Sequence, residues 1–178
     1  MSISIANKEM ALFCHPFSMS HTDQITYSHV KTENISPLNV LFVDDDSDES
    51  YLFNEALEHA GLSVILTNAS NGNHFAEILS SEELPDLVFL DVNMPYKDGV
   101  ETLVEIRKLK KYDQLPIVMY STTKVADTIN ACYNAGANLF VVKPEDIDGM
   151  VKVVNKICTI DWKNFNKLPR EEFVITVD

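Results

Sequence analysis

No stretch of the sequence approaches the roughly 20 consecutive apolar residues that a membrane-spanning helix requires. The N-terminus also lacks a basic region followed by a long apolar run, so no secretory signal is expected. Cysteine is scarce, and Cys14, Cys132 and Cys158 lie far apart, which is typical of a reducing compartment rather than a disulfide framework. These absences favour a cytoplasmic protein.

Positive charge is also in short supply, with 14 Lys and Arg against 27 Asp and Glu and a net charge of −13. A surface of this sign repels nucleic acid and anionic lipid, so we expect neither a nucleic-acid partner nor a membrane partner. Proteins and cations are the expected partners. With 178 residues and 46% hydrophobic residues, the chain is long enough for one well-buried α/β domain with some sequence left over at its ends.

Residues 1–37 mix polar residues with isolated apolar ones and keep no period. This pattern predicts a flexible N-terminal extension, or a start codon assigned too far upstream. Four potential metal ligands in it do not have the spacing of a compact metal site, so a metal site is disfavoured there; they are Cys14, His15, His21 and His29.

From Pro37 onwards, short apolar runs alternate with segments of helical periodicity. Predicted strands cover residues 38–43, 62–67, 87–90, 116–120 and 138–142. Predicted helices follow them, with Ser47 as the cap of the first and Gly61 as its end. The second, fourth and fifth helices cover residues 71–81, 125–136 and 147–157. The third follows Gly99, and the positive charge of residues 107–111 lies at its C-terminus and complements its dipole. In that helix Val100, Leu103, Val104 and Ile106 are expected to face inward.

Regular alternation with short connections predicts a doubly wound α/β fold, because each parallel crossover needs a helix to cover the sheet. The C-terminal tail from Asp161 to Asp178 is ambiguous. Phe173, Ile175 and Val177 alternate as in a short strand. The sequence leaves open whether this tail docks onto the domain or moves freely.

Chemically reactive side chains follow four of the predicted strands. Asp44 and Asp45 follow the first strand, Asp91 ends the third, Ser121 ends the fourth and Lys143 follows the fifth. Since parallel strands end at one edge of the sheet, we expect these side chains to share a pocket. Crowded carboxylates recruit a cation, and a set of oxygen ligands is what Mg²⁺ prefers.

In this interpretation Asp45 and Asp91 bind Mg²⁺ directly, Asp44 holds a metal-bound water, and the backbone carbonyl of Asn93 supplies a further oxygen. A carboxylate beside Mg²⁺ can accept a phosphoryl group as an aspartyl phosphate, which makes Asp91 the expected acceptor. Lys143 would offset the charge of the phosphoryl oxygens, and Ser121 would donate a hydrogen bond to one of them.

The motif set resembles the receiver domain of two-component response regulators over about residues 38–158. The motifs are Val43-Asp44-Asp45, Leu90-Asp91-Val92-Asn93-Met94-Pro95 with Asp98-Gly99, Ser121-Thr122 and Val142-Lys143-Pro144. The resemblance implies a flavodoxin-like fold with a five-stranded parallel sheet in the order 2-1-3-4-5. It also implies a signalling protein rather than an enzyme, phosphorylated on Asp91 with Mg²⁺ bound.

The same resemblance implies a switch in which Ser121 moves toward the phosphoryl group and Phe140 rotates inward, changing the surface of helix 4, strand 5 and helix 5. Phe140 replaces the tyrosine frequent in the family, so any hydrogen bond made by the tyrosine hydroxyl is absent.

The implied partners are a sensor histidine kinase or a histidine phosphotransfer protein, and a downstream protein target. Homodimer formation stays open. The tail is taken as residues 159–178.

Two alternatives use the same fold class. A haloacid-dehalogenase-like phosphatase would use Asp44 as nucleophile, but it leaves the run from Asp91 to Gly99 unexplained and lacks a late acidic pair for its metal site. A flavodoxin-like flavin mononucleotide binder is disfavoured because three aspartates after the first strand would repel the phosphate.

Overall fold

Strands and helices alternate along residues 36–80 and 83–177, which the computed structural model describes. The strands are β1 (Leu38–Val43), β2 (Val64–Ala69), β3 (Leu87–Asp91), β4 (Ile117–Ser121), β5 (Leu139–Val142) and β6 (Val174–Ile175). The helices are α1 (Ser47–Ala60), α2 (Gly72–Leu79), α3 (Gly99–Arg107), α4 (Ala126–Ala135) and α5 (Ile147–Cys158). Short 3₁₀ helices cover Lys110–Tyr112, Trp162–Asn164 and Arg170–Glu172. None of the described helices is long and apolar enough to cross a membrane.

The predicted N-terminal extension lies outside the described residues, apart from Ser36 and Pro37. The potential ligands that the sequence placed in it lie outside them too; they are Cys14, His15, His21 and His29.

All neighbouring strands of the sheet are parallel, and their order in the described part is β2-β1-β3-β4-β5-β6. The predicted order of the first five strands is confirmed. The prediction of five strands in total is wrong, because β6 pairs with β5 through Phe140 opposite Val174. A strand of two residues gives too little alternation to be recognised as a sheet member in the sequence.

The two faces of the sheet carry separate cores, because successive strand residues point to opposite sides. In β1, Leu41 and Val43 face the core under α2, α3 and α4, whereas Val40 and Phe42 face the core under α1 and α5. Helices therefore cover both faces, as the doubly wound prediction requires. Phe173 of the tail is fully buried and joins the first of these cores, so the tail docks onto the domain.

Local details differ from the predictions. Strand β2 covers Val64–Ala69 instead of residues 62–67. The cap of α1 is Asp46 rather than Ser47, because the Asp46 carboxylate accepts a hydrogen bond from the Asp48 amide at 2.8 Å. Val104 was expected inside but is 40% exposed, since the inward face of α3 carries Thr102 and residues at helical spacing from it. Gly61 ends α1 as predicted, with a left-handed backbone at φ 64°.

Arg107 has a structural role that its position at a helix C-terminus did not reveal. Its guanidinium donates hydrogen bonds to the backbone carbonyls of Gly136, Tyr112 and Leu115 at 3.0, 2.7 and 2.9 Å. A fourth goes to the Asn138 side chain at 3.1 Å. Burial lowers the pKa of Arg107, partly offset by the charge of Asp113. One side chain thus joins α3 to the segments before β4 and β5.

We predict that Arg107→Ala lowers the free energy of unfolding by about 3 kcal/mol, because several buried carbonyls lose a charged donor. Chemical denaturation followed by circular dichroism measures this difference. Lys108→Ala is the matched control: Lys108 is the exposed neighbour, and the expected change is within about 0.5 kcal/mol. Equal effects of the two substitutions would contradict the structural role of Arg107.

Candidate functional site

Three carboxylates meet at the C-terminal edge of the sheet. Strands β1 and β3 are neighbours, with Val43 opposite Leu90, so the residues that follow these two lie side by side. Asp44, Asp45 and Asp91 each offer an oxygen, and these oxygens all lie within 4.8 Å of one another. Asp44 and Asp91 are buried, whereas Asp45 is exposed and leaves one side of the cluster open to solvent.

Lys143 supplies the positive charge nearest to this cluster. Its ammonium lies 2.8 Å from Asp44 Oδ2, 3.4 Å from Asp91 Oδ1 and 3.6 Å from Glu49 Oε2. The Lys143 amide donates to the carbonyl of Ser121 at 2.9 Å, which fixes the backbone of this residue beside the end of β4. Glu49 lies in the first turn of α1, and its side chain reaches the lysine from there.

The pKa directions of Asp91 and Lys143 follow from burial and from the charges that surround them. Burial raises the pKa of Asp91, and the charge of Asp44 adds to this, whereas Lys143 and the Asn93 amide act in the opposite direction. Burial disfavours the charged form of Lys143, but its hydrogen bond with Asp44 and the surrounding carboxylates outweigh this, so its pKa is raised. A further cation would therefore stabilise the ionised form of Asp91.

The donor set fits a divalent metal ion. All of the candidate ligands in this cluster are carboxylate oxygens, and their open side leaves room for water ligands. The backbone amide of Asn93 donates a hydrogen bond to Asp91 Oδ2 at 2.9 Å and so holds one oxygen of the carboxylate in place. The other oxygen of Asp91 faces Lys143.

Ser121 is fully buried at the end of β4. Its hydroxyl oxygen accepts hydrogen bonds from the Asn93 side-chain amide at 3.1 Å and from the Thr123 backbone amide at 3.3 Å. The sequence suggested a role only for the Asn93 carbonyl, because the direction of a side chain in a loop has no signature in spacing. Asn93 therefore connects the Asp91 carboxylate to the Ser121 hydroxyl.

Phe140 lies apart from the carboxylates, in β5 opposite Met119. Its side chain is fully buried, and its ring centroid lies 6.4 Å from that of Phe173 in the tail. The structure thus brings the other predicted site residues to one edge of the sheet and places Phe140 within β5, beside Phe173 of the C-terminal tail.

Gly99 allows the loop after β3 to close over the end of that strand. A Cβ atom on Gly99 would lie 2.0 Å from the carbonyl oxygen of Asp91, which is far inside van der Waals contact. The Gly99 amide donates to the Val92 carbonyl at 2.9 Å. Asp98 then caps α3 in a reciprocal pair with Glu101. The position of Asp91 therefore depends on glycine at this point.

We predict that Gly99→Ala lowers the free energy of unfolding by roughly 3 kcal/mol, because the methyl group must displace the backbone of Asp91. Gly61→Ala is the comparison: it has a left-handed backbone but no atom within 4 Å of the added Cβ. We expect it to cost about 1 kcal/mol. Thermal or chemical denaturation of both variants measures the difference, and a smaller loss for Gly99→Ala than for Gly61→Ala would refute the close-contact explanation.

Comparison with known proteins agrees with this geometry. The sequence model described as the response regulator receiver domain matches residues 40–155. An uncharacterised 14.6 kDa protein of Leptolyngbya boryana is 31% identical over 126 residues, which are 71% of this chain and 94% of that protein. The probable C4-dicarboxylate response regulator DctR of Bacillus subtilis is 32% identical over 117 residues, 66% of this chain but only 50% of that protein.

Solved structures show the same arrangement of elements. The Mn²⁺-bound form of response regulator Rcp1 superposes with a TM-score of 0.62 at 28% identity and covers 75% of this chain and 99% of its own. Rcp1 is a protein of Synechocystis. The phosphorylated cyanobacterial phytochrome response regulator RcpA superposes with a TM-score of 0.65 at 26% identity, with coverage of 75% and 99%.

Proposed function

The chain belongs to the response regulator receiver family, and we propose that it accepts a phosphoryl group on Asp91 from a sensor histidine kinase or a histidine phosphotransfer protein. The supporting observation is the position of Asp91: it is buried within the cluster of Asp44 and Asp45, and the Lys143 ammonium lies 3.4 Å from one of its oxygens. Receiver domains act in signalling, and the proposed output of this chain is a change of surface rather than turnover of a substrate.

In the proposed transfer, an Asp91 carboxylate oxygen attacks the phosphorus atom of a phosphohistidine. A P–O bond forms, the P–N bond breaks, and the electron pair of that bond stays with the imidazole, which takes up a proton. Lys143 then faces the phosphoryl oxygens and offsets part of their charge. The backbone amide of Asn93 donates to the second Asp91 oxygen at 2.9 Å, which keeps the carboxylate oriented during the reaction.

Mg²⁺ is the proposed metal. Asp45, Asp91 and the Asn93 backbone carbonyl would hold it, and Asp44 would hold one of its water ligands. When bound, the ion would supply positive charge next to the transferring group. The solved form of Rcp1 is bound to Mn²⁺ rather than Mg²⁺, and carboxylate and carbonyl oxygens bind both of these ions.

The proposed switch begins at Ser121. Its hydroxyl would leave Asn93 and donate a hydrogen bond to a phosphoryl oxygen, and the Phe140 ring would move into the vacated space. The surface formed by α4, β5 and α5 would change as a result. Phe140 has no hydroxyl, so this change acts through packing alone.

We place the receiver unit at residues 38–158, with residues 159–178 appended to it. A protein is the proposed downstream target, since a chain with a net charge of −13 repels nucleic acid and anionic lipid. We propose that the phosphoryl transfer occurs in the cytoplasm.

The matching regions of DctR and of NtrC from Escherichia coli are only 50% and 24% of those proteins, so their complete activities do not transfer to this chain.

The phosphatase alternative, with Asp44 as nucleophile, is not favoured. Asp44 is buried and paired with Lys143 at 2.8 Å, and the receiver family match includes the run from Asp91 to Gly99 that a phosphatase leaves unexplained.

We predict one base-labile phosphoryl adduct per chain after incubation with Mg²⁺ and acetyl phosphate, detected by intact mass. Asp91→Asn is expected to abolish it, because the amide cannot act as the nucleophile. Asp44→Asn tests the alternative. Labelling that persists in Asp91→Asn and disappears only in Asp44→Asn would reject Asp91 as the acceptor.

We also predict that Asp45→Asn weakens Mg²⁺ binding by at least about tenfold, because a ligand charge is lost from an oxygen-only site. Asp46→Asn is the matched control, since asparagine keeps the helix cap and Asp46 is outside the cluster. Isothermal titration with Mg²⁺ measures both variants. Unchanged affinity of Asp45→Asn would remove Asp45 from the metal site.

A further inference from the structure

The C-terminal docking segment, residues 167–175, covers the face of the domain formed by α4 and β5. Phe173 is its central side chain and is fully buried. The Phe173 ring packs edge-on against Tyr133 of α4, with centroids 5.1 Å apart, and lies 6.4 Å from the Phe140 ring of β5. The predicted switch residue therefore faces a residue of this segment instead of solvent.

Polar contacts hold the segment along α4. Arg170 Nε donates to the Asn130 side-chain carbonyl at 2.7 Å, and the Tyr133 hydroxyl donates to the Leu168 carbonyl at 3.2 Å. Lys167 Nζ donates to the Tyr133 carbonyl at 3.2 Å. These contacts involve side chains at or near the surface, where hydrogen bonds contribute little and exchange readily with water.

Contacts with β5 are few. The Phe140 amide donates to the Phe173 carbonyl at 2.9 Å, and β6 adds only Val174 and Ile175, which are both half-buried. So short a strand adds little stability of its own. Leu168 and Ile175 add partly buried apolar contacts with the second core, and Val174 adds one with the first. Within the segment, Phe173 is the fully buried side chain, and its ring lies beside Phe140, so its packing links docking of the segment to the proposed switch residue.

A separate anchor joins the beginning of the tail to α5. Trp162 donates from its indole nitrogen to the Ile157 carbonyl at 3.1 Å and packs against Phe165 with centroids 4.7 Å apart. The docking segment can thus detach from α4 and β5 while the tail stays attached at α5.

We propose that the docking segment is an internal ligand of the α4–β5 face and that phosphorylation of Asp91 releases it. The inference rests on the proposed function, in which Phe140 moves toward the site. That movement withdraws the Phe140 ring from Phe173 and removes the support on which β6 depends. Release uncovers Tyr133 and the β5 edge, so a protein partner reaches this face in the phosphorylated form.

Coupling of this kind acts in both directions. If phosphorylation weakens docking, docking must oppose phosphorylation to the same degree. Loss of the Phe173 ring should therefore raise the extent of Asp91 phosphorylation at a limiting concentration of phosphodonor, by about fivefold for a typical coupling between sites.

Hydrogen exchange of the full chain, measured by mass spectrometry with and without acetyl phosphate and Mg²⁺, tests the release. The adduct is first quantified by intact mass. We expect amides of residues 173–175 to exchange about fivefold faster or more in the phosphorylated chain, with no change in Asp91→Asn. If the adduct forms and exchange of these amides is unchanged, the inference is wrong and the proposed function stands. If no adduct forms, both are wrong.

Phe173→Ala tests the reverse direction, with Phe165→Ala as its control. Phe165 lies in the same tail but packs on Trp162, outside the docking segment. We expect more adduct in Phe173→Ala and the wild-type amount in Phe165→Ala; equal amounts in both would overturn the coupling. Phe173→Leu keeps most of the buried apolar volume but removes the ring, so it should also raise the adduct in a chain that stays folded.

Discussion

The ion pair between Lys143 and Asp44 makes the rest of the site possible. Two buried carboxylates at the ends of neighbouring strands would repel each other, and a buried charge without a partner is strongly destabilising. Lys143 reaches both, at 2.8 and 3.4 Å, from the end of β5. It meets Glu49 as well, at 3.6 Å, so one cation serves three carboxylates. The site can fold with this compensation and still has the charge needed to bind a metal ion.

The sequence predicted the parts of the structure that follow from periodicity and topology. Parallel strands end at one edge, so the positions of Asp44, Asp91 and Lys143 could be expected to coincide once the five strands were recognised. The hydrogen bond of Asn93 to Ser121 and the ion pair of Glu49 with Lys143 could not be predicted from the sequence. Both depend on side-chain rotamers, one in a loop and the other at a helix end. Arg107 was expected only to complement the dipole of the third helix, although it also hydrogen-bonds the carbonyls of Gly136, Tyr112 and Leu115.

The tail was the main open point of the sequence, and its position matters for the switch. The alternation of Phe173, Ile175 and Val177 indicated a strand, but a strand of two residues has no signal for its partner. Tertiary packing determines where the tail lies, because Phe173 packs between α4 and β5. Phe140 of β5 thereby packs beside a residue of the tail, so in the proposed switch its movement would act on the tail.

The short length of β6 affects which backbone groups are exposed at this edge of the sheet. A sheet edge offers unpaired backbone groups to any other extended chain, and short edge strands limit such pairing. On this side of the sheet, the outermost strand contains two residues, whereas β5 beneath it contains four. While β6 is in place, little backbone at this edge is available for another molecule to extend the sheet.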